Sequence, residues 1–220
     1  KSAGHGWQML MESLGAGRGI SLPSQSAGGL KLLSRVVANH SVIRKQFGVA
    51  IGQFEGVQEP LMRIFVNNYL VEAMRKYTLG AIDNGIKPPV ITAICKYHST
   101  EAYRRSINDG MDVLGGTGIS LGPRNVVAQS YIAAPISITV EGANILTRTL
   151  MIFGQGALRA HPYAYKEVAA VEKGDLAGFD QAFWGHIGHI TRNLCRSLVL
   201  SLSRGRLASS PVSGPLSGCW

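Results

Sequence analysis

The sequence predicts an all-α fold, namely an antiparallel helical bundle with an additional helical segment. Apolar residues recur every three to four positions in the segments 24–45, 57–77 and 89–114, as they do on the buried faces of helices. The chain has 220 residues, of which 45% are hydrophobic, so it can bury a substantial core. No segment alternates strongly enough between apolar and polar residues to predict a β-strand. We therefore expect helices packed on helices.

The first predicted helix is interrupted. Gly6–Leu14 has apolar residues at helical spacing, the small-residue run 16–23 breaks the pattern, and segment 24–45 resumes it. A basic turn, 44–48, then connects this segment to the next long helix.

The second and third helices are bounded by prolines. The second runs from Val57 to the region of Gly80–Gly85, because Pro88 and Pro89 bar its continuation. The third is predicted from about Pro89 to Leu114, where a glycine-rich run begins.

The remainder is predicted as shorter elements followed by one long helix. After the glycine-rich loop 115–123 we expect a short helix from Arg124 to Ala133 and another from Asn144 to Gly154 or Gly156. Residues 157–181 are predicted to form a mixed polar turn region. The last helix, Phe179–Leu207, is expected to bury Phe183, Trp184, Ile187, Ile190, Leu194, Leu198, Val199 and Leu202.

The change from regular helical patterns to a mixed polar region after Gly156 predicts two parts. Residues 1–156 form a helical bundle domain, and residues 157–220 form part of a helical extension. Because the chain opens at Lys1 without an initiator Met, we expect it to be a piece of a longer protein.

Composition limits the classes of partner. The net charge of +9 favours anionic partners, but the basic residues are scattered in ones and twos, which argues against a nucleic-acid interface. The cysteines Cys95, Cys195 and Cys219 lie far apart and form no CxxC pair, so they predict neither a metal site nor disulfides. Two of them lie in apolar helical patterns, so we expect reduced, buried thiols in a cytoplasmic protein.

Glu141 is the first candidate functional residue. Apolar residues precede it, Gly142 follows it, and Asn144 can start a helix. The carboxylate is therefore expected beside the free N–H groups of a helix N-terminus, where a polarised carbonyl can be held. A base next to such a site suits removal of a proton α to a carbonyl. The alternative is that Glu141 only stabilises the helix dipole.

Arg18 and the glycine-rich run from Gly115 each allow a structural and a functional interpretation. Arg18 is interpreted either as a surface ion-pairing residue or as a buried arginine aimed at a site. The glycine-rich run from Gly115 is interpreted either as a phosphate-cradling loop or as a helix end and turn. It follows a helix rather than a strand, so it does not match a dinucleotide-fold fingerprint.

The order and spacing of several motifs resemble the C-terminal helical domain of the acyl-CoA dehydrogenases. These motifs are Arg44–Gly48, Gly115–Gly118 and Val140–Gly142. More narrowly, four runs resemble the long bacterial fatty-acyl-CoA dehydrogenases of β-oxidation, in which a helical extension follows the dehydrogenase part: Gly17–Pro23, Phe54–Gln58, Val140–Arg148 and Ile152–Ala157.

The resemblance implies an FAD enzyme that oxidises fatty acyl-CoA to trans-2-enoyl-CoA. By match of motif, Glu141 is the base that removes the α proton while the flavin takes hydride from the β carbon. In the family the thioester carbonyl is held by the backbone N–H of the base and a flavin ribityl hydroxyl. Arg18 and Gly142 are assigned to the substrate side of this site.

The same resemblance assigns four residues to the cofactor. Arg44 and Phe47 match residues that reach the FAD of a neighbouring subunit, the arginine at the pyrophosphate, and Gly115 and Gly116 match a glycine pair that approaches the same FAD. A guanidinium suits phosphate, and an aromatic ring packs on a cofactor. The alternative for Arg44 is a solvated basic turn. Polar FAD contacts common in relatives are replaced by Asp112, Ala143 and Ile145, and Glu55 stands where glutamine is common, so those roles are not transferred.

The leading hypothesis is thus a flavoenzyme fragment with fatty acyl-CoA as substrate. It implies an electron-transfer flavoprotein-type acceptor, a homo-oligomer and no nucleic acid, with peripheral association with the inner membrane left open. The competing hypothesis is a noncatalytic helical assembly or lipid-surface module in which Glu141 merely caps a helix.

Overall fold

The computed structural model describes residues 3–86 and 89–209, and it confirms the all-α prediction. Two compact units divide the chain, Lys1–Gly156 and Ala157–Trp220. The elements of the first unit are, in chain order, α1 (Gly6–Ile43), β1 (Lys45–Gln46), β2 (Val49–Ala50), a 3₁₀ turn (Ile51–Gln53), α2 (Glu55–Asp83), α3 (Pro89–Leu114), α4 (Gly116–Ile119), α5 (Ala128–Thr139) and α6 (Asn144–Leu146). A π-helical segment (Thr147–Gln155) and α7 (Gly156–Ala160) follow α6.

Consecutive long helices run antiparallel, so α1 and α3 point in the same direction. An ion pair between Lys31 and Glu72 joins α1 to α2, and Arg63 pairs with Asp109 between α2 and α3. Apolar side chains from all three helices form the core: Ala27, Leu30, Leu33, Val37, Leu61, Ile64, Val71, Ala102, Tyr103 and Ile107.

α1 is one helix, and the predicted break at 16–23 is wrong. Pro23 lies inside it, buried among the packed helices. The small residues allow close approach rather than a turn, since a Cβ on Gly19 would lie 2.6 Å from the Thr92 side chain on α3. Packing of this kind offsets the cost of about 3 kcal/mol that an interior proline carries.

The basic turn forms a two-stranded hairpin that the sequence did not predict. Lys45 pairs with Ala50 and Gln46 with Val49, while Phe47 (φ 51°) and Gly48 (φ 83°) form the turn. Two consecutive positive φ angles are those of a type I′ turn, which matches the twist of the flanking strands. α2 ends at Asp83, near the predicted end, whereas Pro88 lies outside the described residues.

The helix predicted at Arg124–Ala133 instead begins at Ala128 and ends at Thr139. The reason is Asn125, whose Oδ1 accepts the N–H groups of Val127 and Ala128 at 3.0 and 2.9 Å and so starts the helix later. Pro135 lies inside α5. The helix starting at Asn144 continues through the π-helical segment into α7, beyond the predicted end.

The second unit contains α8 (Ala164–Lys173) and α9 (Leu176–Leu202), so the predicted turn region 157–181 is wrong. Nδ1 of His161 accepts the N–H of Ala164 at 3.1 Å and starts α8, and the Asp175 carboxylate accepts the N–H of Gly178 at 2.9 Å and starts α9. The apolar residues that we expected α9 to bury are all exposed, so this expectation is wrong, and Ala182 is the buried residue of α9.

The burial of the cysteines and the membrane-spanning potential of the helices can also be compared with the sequence predictions. Cys95 is buried as expected, Cys195 is exposed against expectation, and Cys219 lies outside the described residues. Within residues 3–86 and 89–209, no helix combines the length and apolar character that crossing a membrane requires.

Candidate functional site

Glu141 lies in the tight turn between α5 and α6. Its φ of 54° is unusual for a residue with a side chain, and Gly142 follows with a φ of 87°. Such a backbone costs about 1–2 kcal/mol at a non-glycine residue and persists only where the surroundings impose it. Glu141 is half-buried.

The Glu141 carboxylate contacts α1. Oγ of Ser21 lies 3.2 Å from Oε1 and donates a hydrogen bond to it. The same hydroxyl lies 3.1 Å from the carbonyl oxygen of Gly17, one turn earlier in α1. The base proposed from the sequence is therefore held by a side chain 120 residues away in the chain.

Arg18, on the same stretch of α1, is buried with 1% of its surface exposed, which excludes the surface ion pair. Its Nη1 donates to the sulfur of Met151 at 3.0 Å, whereas Nε and Nη2 have no partner among the described residues. Burial lowers the pKa of the guanidinium, and the nearby charge of Glu141 opposes this. Unpaired buried donors typically cost about 1–3 kcal/mol each, so they point to a functional constraint.

Lys96, on α3, lies fully buried beside the same turn. Its Nζ donates to the carbonyl oxygen of Ile138 at 3.3 Å, to that of Gly142 at 2.9 Å and to Oδ1 of Asn144 at 2.6 Å. Burial and the charge of Arg18 lower the pKa of this ammonium group to about 8, although Glu141 and Glu101 raise it.

Asn144 does not cap the helix that it begins. The residue at the cap position is Ala143, and the Asn144 side chain turns inward, where Nδ2 donates to Thr100 at 3.0 Å and to Glu101 at 2.9 Å. The expected capping role is therefore wrong, because a buried lysine competes for the amide oxygen.

Two backbone N–H groups remain available at the turn. Within the described part of the chain, the N–H groups of Glu141 and Gly142 donate to no acceptor. The carbonyl oxygen of Gly142, in contrast, accepts from both Lys96 and Thr147. The turn thus presents a carboxylate beside two unpaired donors.

The remaining predicted site residues lie elsewhere. Arg44 is the residue that caps the C-terminal end of α1, and Phe47 lies in the turn of the hairpin that follows, where it is 94% exposed. Gly115, with φ 57°, and the exposed Gly116 lie at the C-terminal end of α3, which is the same end of the bundle because α1 and α3 run in parallel.

Two groups of residues therefore occupy opposite ends of one unit. With Arg18 and Arg44 separated by most of α1, a rise of 1.5 Å per residue places them roughly 40 Å apart. Arg18, Glu141 and Gly142 are brought together, whereas Arg44, Phe47, Gly115 and Gly116 are not brought to them within one chain.

Sequence reasoning missed Ser21, Lys96 and Met151. Lys96 had a detectable signal, since a lysine within the apolar run Ala93–Tyr97 of a helix must either reach the surface or be buried with partners. Ser21 lies inside a motif that was noted, but nothing local reveals its partner. The described residues contain no group of three or more His, Cys, Asp or Glu side chains placed to hold a metal ion.

Two family descriptions match nearly the whole chain. Residues 4–152 match "Acyl-CoA dehydrogenase, C-terminal domain", and residues 158–219 match "Acyl-CoA dehydrogenase, C-terminal, bacterial type".

Curated relatives share a modest part of their length with the chain. It is 29% identical over 156 residues to the very long-chain specific acyl-CoA dehydrogenase of mouse mitochondria, covering 70% of this chain and 23% of that protein. A probable acyl-CoA dehydrogenase of Mycobacterium bovis, FadE10, is 27% identical over 176 residues, covering 76% and 26%. The chain thus spans about a quarter of the length of these relatives.

Solved structures share the fold. Butyryl-CoA dehydrogenase from Megasphaera elsdenii superposes with a TM-score of 0.61 at 25% identity, covering 72% of this chain and 40% of that one. The FAD complex of PigA gives a TM-score of 0.65 at 22% identity, with the same coverage.

Proposed function

The chain belongs to the acyl-CoA dehydrogenase family, and we propose that it supplies the catalytic base of an enzyme oxidising fatty acyl-CoA to trans-2-enoyl-CoA in β-oxidation. The observation that carries this proposal is the Glu141 turn. A half-buried carboxylate, positioned by Ser21 and next to a buried guanidinium, lies beside two unpaired backbone donors. In this reaction the α proton passes to Glu141, and a hydride leaves the β carbon.

The unpaired N–H group of Glu141 supports a role in holding the thioester carbonyl. Removal of an α proton develops negative charge on that oxygen, and a preorganised donor stabilises it. Gly142 supports the same role, because a side chain at this position would crowd the turn: a Cβ would lie 3.3 Å from Oγ1 of Thr147. Arg18 adds a nearby positive charge that interacts with the Glu141 carboxylate.

The hairpin and the α3 terminus fit FAD from a neighbouring subunit. Phe47 offers an exposed ring, Arg44 an exposed guanidinium, and Gly115 and Gly116 an accessible backbone at the same end of the bundle. When bound, FAD supplies the acceptor for the hydride. Because these residues lie far from Glu141 of the same chain, the proposal requires a homo-oligomer, and it includes an electron-transfer flavoprotein-type acceptor.

The test is flavin absorbance in the full-length protein. We expect the purified enzyme to be yellow and to lose this colour, without oxygen, on addition of palmitoyl-CoA or butyryl-CoA. The two substrates differ in chain length, so they also separate a long-chain enzyme from a short-chain one. An enzyme that neither carries flavin nor bleaches would contradict the proposal and favour the noncatalytic helical module.

A further inference from the structure

Lys96 makes contacts that bracket Glu141 on both sides. Its three donors reach Ile138, in the last turn of α5, and then Gly142 and Asn144, which follow the carboxylate residue. Each of the three protons of the ammonium group thus has an acceptor, and all three acceptors belong to the seven-residue segment 138–144. A fully buried cation is costly unless it is paired, and these three acceptors compensate the burial of Lys96.

We propose that Lys96 is a positioning residue for the base: its ammonium group locks the turn 138–144 and thereby fixes the direction of the Glu141 carboxylate. This inference rests on the proposed dehydrogenase function. Among the described residues Lys96 makes no hydrogen bond or ion pair with the Glu141 carboxylate, so it acts through the residues on either side of Glu141.

The backbone of the turn needs such a lock. The positive φ of Glu141 is a minor conformation for a residue with a side chain, and without support the turn would relax towards ordinary angles. Bonds to both sides of Glu141 prevent this relaxation, because changing φ at Glu141 would move Ile138 and Gly142 relative to each other. Thr147 adds a hydrogen bond to the Gly142 carbonyl oxygen on one side alone.

The lock depends on the charge state of Lys96. A neutral amine has two N–H donors and cannot satisfy three acceptors, so loss of one proton releases one bond. The charged groups that face this amine are Arg18 on α1, Glu101 on α3 and Glu141 in the turn. With the pKa of Lys96 lowered to about 8 by burial and by Arg18, the lock opens in a pH range where the protein can be assayed.

The experiment uses the full-length enzyme and follows flavin bleaching by palmitoyl-CoA in a single turnover. Lys96→Met keeps the length of the side chain and removes the donors, and Lys76→Met, an exposed lysine on α2, is the matched control. We expect Lys96→Met to lower the limiting rate of bleaching by on the order of 10²-fold, as for a reacting group misplaced by about 1 Å. The palmitoyl-CoA concentration for half-maximal rate should stay within threefold of wild type.

A pH profile of the unaltered enzyme supplies a second test that no folding defect can spoil. The limiting rate should fall above pH 8 by about tenfold per unit, as for loss of one essential proton. In a folded Lys96→Met enzyme this fall should be absent.

These measurements distinguish a failure of the role of Lys96 from a failure of the proposed function. A Lys96→Met enzyme that bleaches within threefold of the wild-type rate, or a wild-type rate that is flat from pH 7 to 9.5, overturns the role of Lys96 while leaving the proposed function standing. If the wild-type enzyme itself does not bleach with either acyl-CoA, the proposed function fails, and the role of Lys96 falls with it.

Discussion

Two turns in this unit have nearly the same pair of φ angles but differ in what holds them. In the hairpin, Phe47 and Gly48 have φ angles of 51° and 83°, and between α5 and α6, Glu141 and Gly142 have 54° and 87°. The first turn is held by the pairing of β1 with β2, and its Phe47 ring is almost fully exposed. The second is held by the buried Lys96 and by Thr147.

Pairing between neighbouring residues holds the first turn, whereas side chains from other parts of the chain hold the second. In the hairpin, Gly48 and the pairing of the two short strands impose a type I′ turn, so Phe47 carries the cost of a positive φ as Glu141 does, while its side chain remains free to face a partner. The Glu141 turn is held by Lys96 from α3 and by Thr147, and its carboxylate contacts Ser21 on α1. Phe47 is therefore exposed and free to contact a partner, whereas the turn that carries Glu141 is held by side chains from other parts of the chain.

The largest expected effect is that of substituting Glu141. Glu141→Gln keeps the size and hydrogen-bonding ability of the side chain but removes the base, so the rate of flavin bleaching by palmitoyl-CoA should fall by about 10²–10⁴-fold in the full-length enzyme. The far-ultraviolet circular dichroism should be unchanged. A variant that bleaches as fast as wild type would remove Glu141 from the mechanism.

The two glycines should respond unequally to alanine. Gly48→Ala meets no neighbour within 4 Å and should lower the free energy of unfolding by about 1–2 kcal/mol, the cost of a positive φ. Gly142→Ala also crowds Oγ1 of Thr147, at 3.3 Å, so about 1–3 kcal/mol should be added. Urea unfolding of both variants measures the difference, and equal losses would show that the Glu141 turn is no more tightly held than the hairpin.

The stability of the folded chain should depend on pH through Lys96. The Lys96 pKa is about 8 in the folded chain against 10.5 for an ordinary lysine, so between these values the unfolded chain binds more protons. The free energy of unfolding should therefore gain from this group as the pH rises from about 8 to 10.5, while below pH 8 the full cost of the buried charge remains. Comparing urea unfolding of wild type and Lys96→Met at pH 7.5 and 10 isolates the contribution; an identical pH response in both would contradict it.

The smallest expected effect on stability is that of substituting Phe47. Because Phe47 is exposed, Phe47→Ala should change the free energy of unfolding by less than about 0.5 kcal/mol. In the assembled enzyme the same variant should retain less FAD, as measured from the ratio of flavin to protein absorbance. Full retention of FAD would leave the exposed ring without its proposed role.

Much of the helical framework could be predicted from local patterns. The bounds of α3 agree with the structure because a proline begins the helix and a glycine-rich run ends it. α1 was broken in two because small residues and Pro23 resemble a turn when they stand alone. Only the close approach of α3 at Gly19 shows why a continuous helix needs them.

The Glu141 site was only half predictable. A carboxylate followed by glycine between two helical patterns identified the residue, but the side chains that hold it come from positions 18, 21 and 96, on α1 and α3. Asn144 illustrates the limit, since its sequence context favours a helix cap, whereas tertiary contacts turn its amide towards Lys96. The hairpin was missed because strands of two residues are too short to produce an alternating pattern.

The π-helical segment Thr147–Gln155 makes this part of the chain unusually sensitive to length. A π turn closes its hydrogen bonds over one more residue than an α turn, so the segment resembles an insertion that the helix has absorbed. Deleting one residue between Thr147 and Met151 would let ordinary α-helical winding return and would shift Met151 around the helix axis. Met151 would then swing its sulfur away from Arg18, and the guanidinium would lose the one acceptor that it has among the described residues.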